Sequence, residues 1–226
     1  MKRKADVIME IDFLKDKLHP MLYLKICQNI QKLRPAQEKA VDAGLLEGEN
    51  ILVCTPTASG KTLIAELVML NNIYNKKGKA IYVVPLKALA REKYKHFAKY
   101  ENINVAVATG DVDSNEKGLG NYDIIITTSE KLDSLLRHHC PWLRQVSVVV
   151  IDEVHLLNDA GRGPTLEILI TMMNSMLKAQ MISLSATIGN AAELADWLKA
   201  KLIEDEWRPV VLKKGVMFEN EIEFHQ

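Results

Sequence analysis

Residues 50–70 constrain this chain more than any other stretch. Asn50-Ile51-Leu52-Val53-Cys54 is a short apolar run that reads as a buried strand, and Leu63 to Leu70 reads as a helix. Between them lies Thr55-Pro56-Thr57-Ala58-Ser59-Gly60-Lys61-Thr62, a tight loop ending in Gly-Lys-Thr. Strand, loop and helix in that order form a cradle for phosphate. Backbone N–H groups of the loop and of the helix N-terminus point at anionic oxygens. Gly60 lets the backbone approach without a Cβ in the way. Lys61 would reach the terminal phosphates as a point charge, and Thr62 would offer its hydroxyl to Mg²⁺. The usual loop opens with Gly, and here Thr55 stands at that position. The string alone therefore leaves open a plain helix start, and the rest of the chain has to decide.

The strand pattern downstream supplies the context. Strand-like and helix-like stretches alternate: strands at 79–84, 103–108, 123–127, 146–151 and 180–184, helices at 86–99, 129–138, 164–177 and 191–203. Asn190 stands as N-cap of the last of these. Such alternation predicts an α/β fold, a mostly parallel sheet with helices on both faces. The apolar runs at 81–84, 124–126 and 148–151 fit strands buried on both sides. Ligands in such sheets bind at the carboxyl ends of the strands, where the motifs fall. Residues 6–34 read as helical and irregular, broken at His19-Pro20, and Pro35 is well placed in the first turn of a further helix.

The strand Val148-Val149-Val150-Ile151 delivers Asp152-Glu153-Val154-His155. Two adjacent carboxylates at the end of a buried strand are costly unless they serve a cation or a reacting water. With a phosphate loop upstream, Asp152 is the expected Mg²⁺ residue and Glu153 the expected general base for an attacking water. The expected cofactors are ATP and Mg²⁺, with catalysis resting on Glu153, Lys61 and Asp152.

Together these strings resemble the DExH-box helicases of superfamily 2. Thr55 to Thr62 is similar to their motif I, Asp152 to His155 to motif II, and Ser185-Ala186-Thr187 to motif III. Val84-Pro85-Leu86-Lys87-Ala88-Leu89-Ala90 resembles motif Ia. Thr109-Gly110-Asp111 and Thr127 to Asp133 resemble the nucleic-acid motifs between Ia and II. Arg34-Pro35-Ala36-Gln37 resembles the Q-motif. The motifs stand in family order over residues 34–190. Leu33 to Gln37, Ala186 to Asn190 and Trp207-Arg208-Pro209-Val210 are most similar to the Ski-like branch, and within it to the archaeal Hjm-type DNA repair helicases.

The resemblance implies a RecA-like domain over 34–210, preceded by an N-terminal extension over 1–33 and followed over 211–226 by a connector toward a second RecA-like domain. It implies that Gln37 reads adenine, and that His155, Ser185 and Thr187 couple the ATP site to the nucleic-acid groove. Lys87, Arg91, Thr109, Gly110 and Thr127 become candidates for tracking a strand by its phosphates, with Asp111 orienting its loop. The implied activity is 3′-to-5′ DNA unwinding at stalled forks on single-stranded or forked DNA. An RNA helicase of the Ski-like branch and a nucleotide-dependent binding module without turnover are the alternatives. Motifs IV to VI, with the arginine fingers of motif VI, do not occur in these residues. An arginine finger is worth ~10³-fold or more in phosphoryl transfer, so the chain alone is expected to hydrolyse ATP very slowly.

Composition adds exclusions. Lys+Arg and Asp+Glu are both 29, so the net charge of +0 gives no global support for nucleic-acid binding and any such surface must be local. The 3 cysteines, Cys27, Cys54 and Cys140, lack any CxxC spacing and read as reduced thiols of a cytoplasmic protein. No apolar run is long enough to span a membrane. His138-His139-Cys140 has no second cluster to complete a zinc site. The protein is expected to act as a monomer.

Overall fold

The computed structural model describes residues 11–110, 116, 118–210, 213–218 and 221–225. Among these, the strands β1 (Ile51–Cys54), β2 (Lys79–Val84), β3 (Val105–Ala108), β4 (Ile124–Thr128), β5 (Val146–Ile151), β6 (Gln180–Ser185) and β7 (Lys201–Glu204) form one sheet. Its order is β3-β4-β2-β5-β6-β1-β7, and every pairing in it is parallel. The period of two along each strand divides its residues between two cores. Ile51 and Val53 face one, and Leu52 and Cys54 face the other.

The first core is covered by α1 (Pro20–Cys27), α2 (Pro35–Asp42), α3 (Lys61–Tyr74) and α4 (Lys87–Phe97), through Leu22, Ala40, Ile64 and Phe97 among others. The second is covered by α5 (Ser129–Arg137), α6 (Gly163–Met176) and α7 (Ala191–Leu198), through Leu132, Leu169 and Leu198. Both faces of the central strands are thus dry, which is why β1 carries no polar residue. Each large aliphatic side chain so buried stabilises the fold by about 1.5–3 kcal/mol. Ile11, Leu14, Leu18, Leu22 and Ile26 belong to the first core, so residues 11–26 are packed as part of the sheet's cover.

The break at His19-Pro20 separates a single turn at Ile11–Leu14 from α1: Pro20 is at the first turn of α1, and His19 Nδ1 accepts the Met21 N–H at 3.3 Å. The helix expected over 191–203 ends at Leu198. Lys199 turns left-handed at φ 51°, and Lys201–Glu204 becomes β7, which pairs with β1. Leu202 faces the second core and Ile203 the first, while Lys201 and Glu204 at the two ends of the strand are exposed, and charged residues suit an exposed sheet edge. Asn190 occupies the N-cap position of α7 without a side-chain bond there. Beyond the sheet, β8 (Lys214–Phe218) and β9 (Glu221–His225) pair as an antiparallel hairpin.

No helix among the described residues is long and apolar enough to cross a membrane.

Candidate nucleotide site and nucleic-acid face

The strand order places the sequence motifs along one edge of the sheet. The ends of β1, β5 and β6 carry Thr55, Asp152 and Ser185, and the ends of β3, β4 and β2 carry Thr109, Thr128 and Pro85. The carboxyl edge of the sheet therefore has a candidate ATP half and a second half built from the other motifs.

The loop from Thr55 to Gly60 is held by its own side chains and by α2. Thr55 Oγ1 and Ser59 Oγ lie 2.7 Å apart, a buried hydrogen bond that closes the loop at the position where Gly is usual. Gly60 has φ 93°, which favours glycine, and a Cβ there would meet Gln37 Nε2 at 2.5 Å, so the side chain of Gln37 would have to give way. Ala58 is also left-handed, at φ 65°. Arg34 Nη1 donates to the Ala58 carbonyl at 2.6 Å, and its guanidinium lies over the Trp207 ring at 5.2 Å. Gln37 is buried; its Nε2 donates to the Gly60 carbonyl at 2.9 Å and its Oε1 accepts the Arg34 N–H at 2.8 Å. Pro56 and Thr57 complete the loop, Pro56 buried and Thr57 exposed.

Lys61 opens α3 and turns its ammonium into the loop, donating to the carbonyls of Thr55 at 2.8 Å and Pro56 at 3.1 Å. Burial pushes the Lys61 pKa down, and the carboxylates of Glu153 and Asp152 act against that shift. Thr62, next on the helix, turns its Oγ1 toward the end of β5, where Lys93 Nζ on α4 donates to it at 3.1 Å. The same ammonium lies 3.4 Å from Asp152 Oδ2. Tyr82 on β2 donates its hydroxyl to that oxygen at 2.9 Å. Burial, then Asp152, push the Tyr82 phenol far up, so it stays a donor.

Glu153 follows in a left-handed conformation, φ 54° and ψ 46°. For a residue with a side chain this costs roughly 1–2 kcal/mol, and such strain gathers where a side chain must be aimed. The turn swings the carboxylate off the strand line toward His155, whose Nδ1 is 3.3 Å from Glu153 Oε2. His155 Nδ1 also accepts the Ala186 N–H at 3.3 Å, joining motif II to the stretch after β6. Ser185 itself is fully buried, level with Cys54 on β1, and its carbonyl accepts the Thr55 N–H at 3.3 Å. Thr187 is exposed.

Beside the loop, between α1 and α4, opens a cleft of about 800 Å³ lined by Lys32, Arg34, Gln37, Thr62, Leu63 and Glu66, among others. Glu66 is buried and takes hydrogen bonds from Tyr100 and His96, the latter at 2.5 Å.

The second half of the edge divides the strand-contact candidates. Lys87, Arg91 and Gly110 are exposed. Thr109 and Thr127 are buried, and Thr127 Oγ1 donates to the Ala108 carbonyl at 2.8 Å, tying β4 to β3. The Thr127 hydroxyl is thus committed inside the sheet. Asp111 lies outside the described residues.

Sequence reasoning missed Arg34, Tyr82 and Lys93. Arg34 stood inside a recognised string, directly before Pro35. Lys93 and Tyr82 carried no signal, since a lysine on an amphipathic helix reads as solvated and a tyrosine in an apolar strand reads as core.

Residues 34–194 match the family model described as DEAD/DEAH box helicase. The chain is 56% identical over 194 residues to the ATP-dependent DNA helicase Hel308 of Pyrococcus abyssi, covering 85% of this chain and 27% of that protein. It is 52% identical over 204 residues to Hel308 of Methanococcus vannielii, over 86% of this chain and again 27% of the relative. The chain thus spans about a quarter of the length of these relatives. Among solved structures it is similar to the DUF1998 helicase MrfA bound to DNA and AMPPNP, with TM-score 0.74 and 26% identity over 84% of this chain and 30% of that one. The family model matches residues 34–194, which include the Gly-Lys-Thr loop and the two carboxylates at the end of β5, and the chain belongs to the DEAD/DEAH box helicase family.

Proposed function

We propose that this chain is the first RecA-like motor domain of an ATP-dependent DNA helicase that works in the cytoplasm on single-stranded or forked DNA in repair, moving 3′ to 5′. We read residues 34–210 as that domain, residues 1–33 as an extension built onto it, and 211–226 as a connector toward a second RecA-like domain. The names of the Hel308 relatives support DNA as the polymer.

The observation that carries the nucleotide reading is the convergence of Thr62 Oγ1 and Asp152 Oδ2 on a single cationic atom, Lys93 Nζ. Hydroxyl and carboxylate are the hard oxygen donors Mg²⁺ takes, and Mg²⁺ in such sites needs only one or two protein ligands beside phosphate and water. Mg²⁺ held by Thr62 and Asp152 would neutralise charge on the β- and γ-phosphates.

The chain's own groups do the rest. The N–H groups around Gly60 and the start of α3 face the phosphates. Lys61 exchanges its two loop carbonyls for phosphate oxygens. Glu153, aimed by its left-handed turn, takes the proton of the attacking water, while His155 Nδ1 accepts the Ala186 N–H beside it. Gln37 retains one amide hydrogen and one lone pair beyond the bonds it makes within the chain. That remaining pair matches the N7 and N6 edge of adenine, so one side chain both braces the loop and reads the base. Lys87, Arg91 and Gly110 form the exposed face for strand phosphates, and Ser185 and Thr187 flank the link between the two halves.

The test is ATP hydrolysis by this chain, alone and joined to the C-terminal region of a Hel308 relative, with single-stranded DNA, single-stranded RNA or neither. Turnover that needs the added region and rises with DNA agrees with the proposal. Turnover equal with and without nucleic acid would contradict a motor, and stimulation by RNA only would move the substrate to RNA.

A further inference from the structure

Lys93 is the cation on which the ATP site closes, and no motif predicts it. Its side chain is only 11% exposed although it sits on α4, a helix otherwise rich in exposed charge. Its ammonium donates to Thr62 Oγ1 at 3.1 Å, lies 3.4 Å from Asp152 Oδ2 and stands over the Tyr82 ring at 5.1 Å. Tyr82, in turn, donates to the same Asp152 oxygen. An ammonium with a hydroxyl, a carboxylate and an aromatic face around it is satisfied where it is.

Those two oxygens are the ones that the function proposed above assigns to Mg²⁺, and this inference rests on that assignment. Mg²⁺ binds oxygen at about 2.0–2.1 Å, inside the N···O contacts Lys93 now makes. An ammonium and a divalent cation cannot both hold the same two atoms, since like charges at that distance repel strongly in a site shielded from water. We propose that Lys93 is a built-in competitor for the metal: it holds Thr62 and Asp152 in position as a tethered cation, and Mg²⁺·nucleotide must displace it to bind. Lys93 is thus a positioning residue that sets how strongly nucleotide binding depends on the metal. Because Lys87 and Arg91 share its helix, the competitor is mounted on the element that carries the candidate strand-contact face.

The experiment measures the affinity of the 226-residue chain for the fluorescent nucleotide mant-ATP in excess Mg²⁺ and in EDTA, and takes the ratio. A hydrogen bond to a charged group is worth about 1.5–3 kcal/mol, so removing the competitor should raise that ratio about tenfold or more in Lys93→Met. Lys93→Arg keeps the charge and should keep the wild-type ratio to within about threefold, the usual reach of context effects on one contact. The rise in melting temperature on adding Mg²⁺ and mant-ATP should follow the same order, and Lys93→Gln replaces Lys93→Met if the latter does not fold. A ratio in Lys93→Met equal to or below wild type overturns the competitor, because Lys93 then aids or ignores the metal. If wild-type chain shows no binding that Mg²⁺ strengthens, the nucleotide assignment itself fails and the inference falls with it.

Discussion

Replacing Gly60 by alanine perturbs the phosphate loop at one atom. The residue has φ 93°, and the new Cβ would stand 2.5 Å from Gln37 Nε2 and 3.0 Å from Arg34 Nη1. Two costs follow. Holding an L-residue in the left-handed region costs roughly 1–2 kcal/mol. Pushing Gln37 away breaks its bond to the Gly60 carbonyl, at about 1 kcal/mol. The loop can relieve both by leaving its native shape, so the total of about 2–3 kcal/mol appears as lost nucleotide affinity. At 1.4 kcal/mol per tenfold, mant-ATP should bind about 30- to 140-fold more weakly. Gly48 is the control, since it also has a positive φ, of 101°, but a Cβ there meets nothing within 4 Å. Gly48→Ala should cost about 1–2 kcal/mol of stability and leave mant-ATP affinity unchanged. If Gly60→Ala binds within about threefold of wild type, the contact with Gln37 does not shape the loop and the reasoning is refuted.

Three further outcomes follow from single contacts. Thr127→Val removes the hydroxyl that the Ala108 carbonyl accepts, so unfolding by denaturant should show a loss of about 1 kcal/mol with no change in affinity for single-stranded DNA. Lys87→Ala and Arg91→Ala should each weaken DNA binding for all sequences alike and reduce the slope of log affinity against log salt by about one. Burial pushes the Cys54 thiol from its ordinary 9.0 up to about 11, so its folded form keeps the proton that the unfolded form gives up. Stability from this group is therefore full below 9.0 and falls as pH rises toward about 11. Denaturation midpoints across that range should fall less in Cys54→Ala than in wild type.

The candidate ATP half of the site was legible because its chemistry is local. Phosphate binding needs Gly60, Lys61 and Thr62 at the junction of a strand and a helix, and the paired carboxylates Asp152 and Glu153 stand at the end of an apolar run. Alternation of strands and helices likewise carried the parallel sheet, because both of its faces are buried. The edge strand β7 was lost since Leu202 and Ile203 continue an apolar pattern that suits a helix, while Lys199 enters the left-handed region without a glycine to signal it. The strand-contact candidates were less legible, because a threonine at a strand end can face solvent or the neighbouring strand. Thr127 took the neighbour. Lys93 was invisible for a related reason. Its role depends on α3, α4, β2 and β5 meeting at one point, and nothing in its own neighbourhood along the chain records that meeting.

The most direct test of the account is a single-turnover measurement of ATP hydrolysis beside mant-ATP binding for Glu153→Gln, with the C-terminal region of a Hel308 relative present. Glutamine keeps the shape but cannot take a proton from water, so hydrolysis should fall about 100-fold or more while nucleotide affinity stays within about threefold of wild type. Hydrolysis at the wild-type rate would remove Glu153 as the base and, with it, the reading of the end of β5 as the place where ATP is cut.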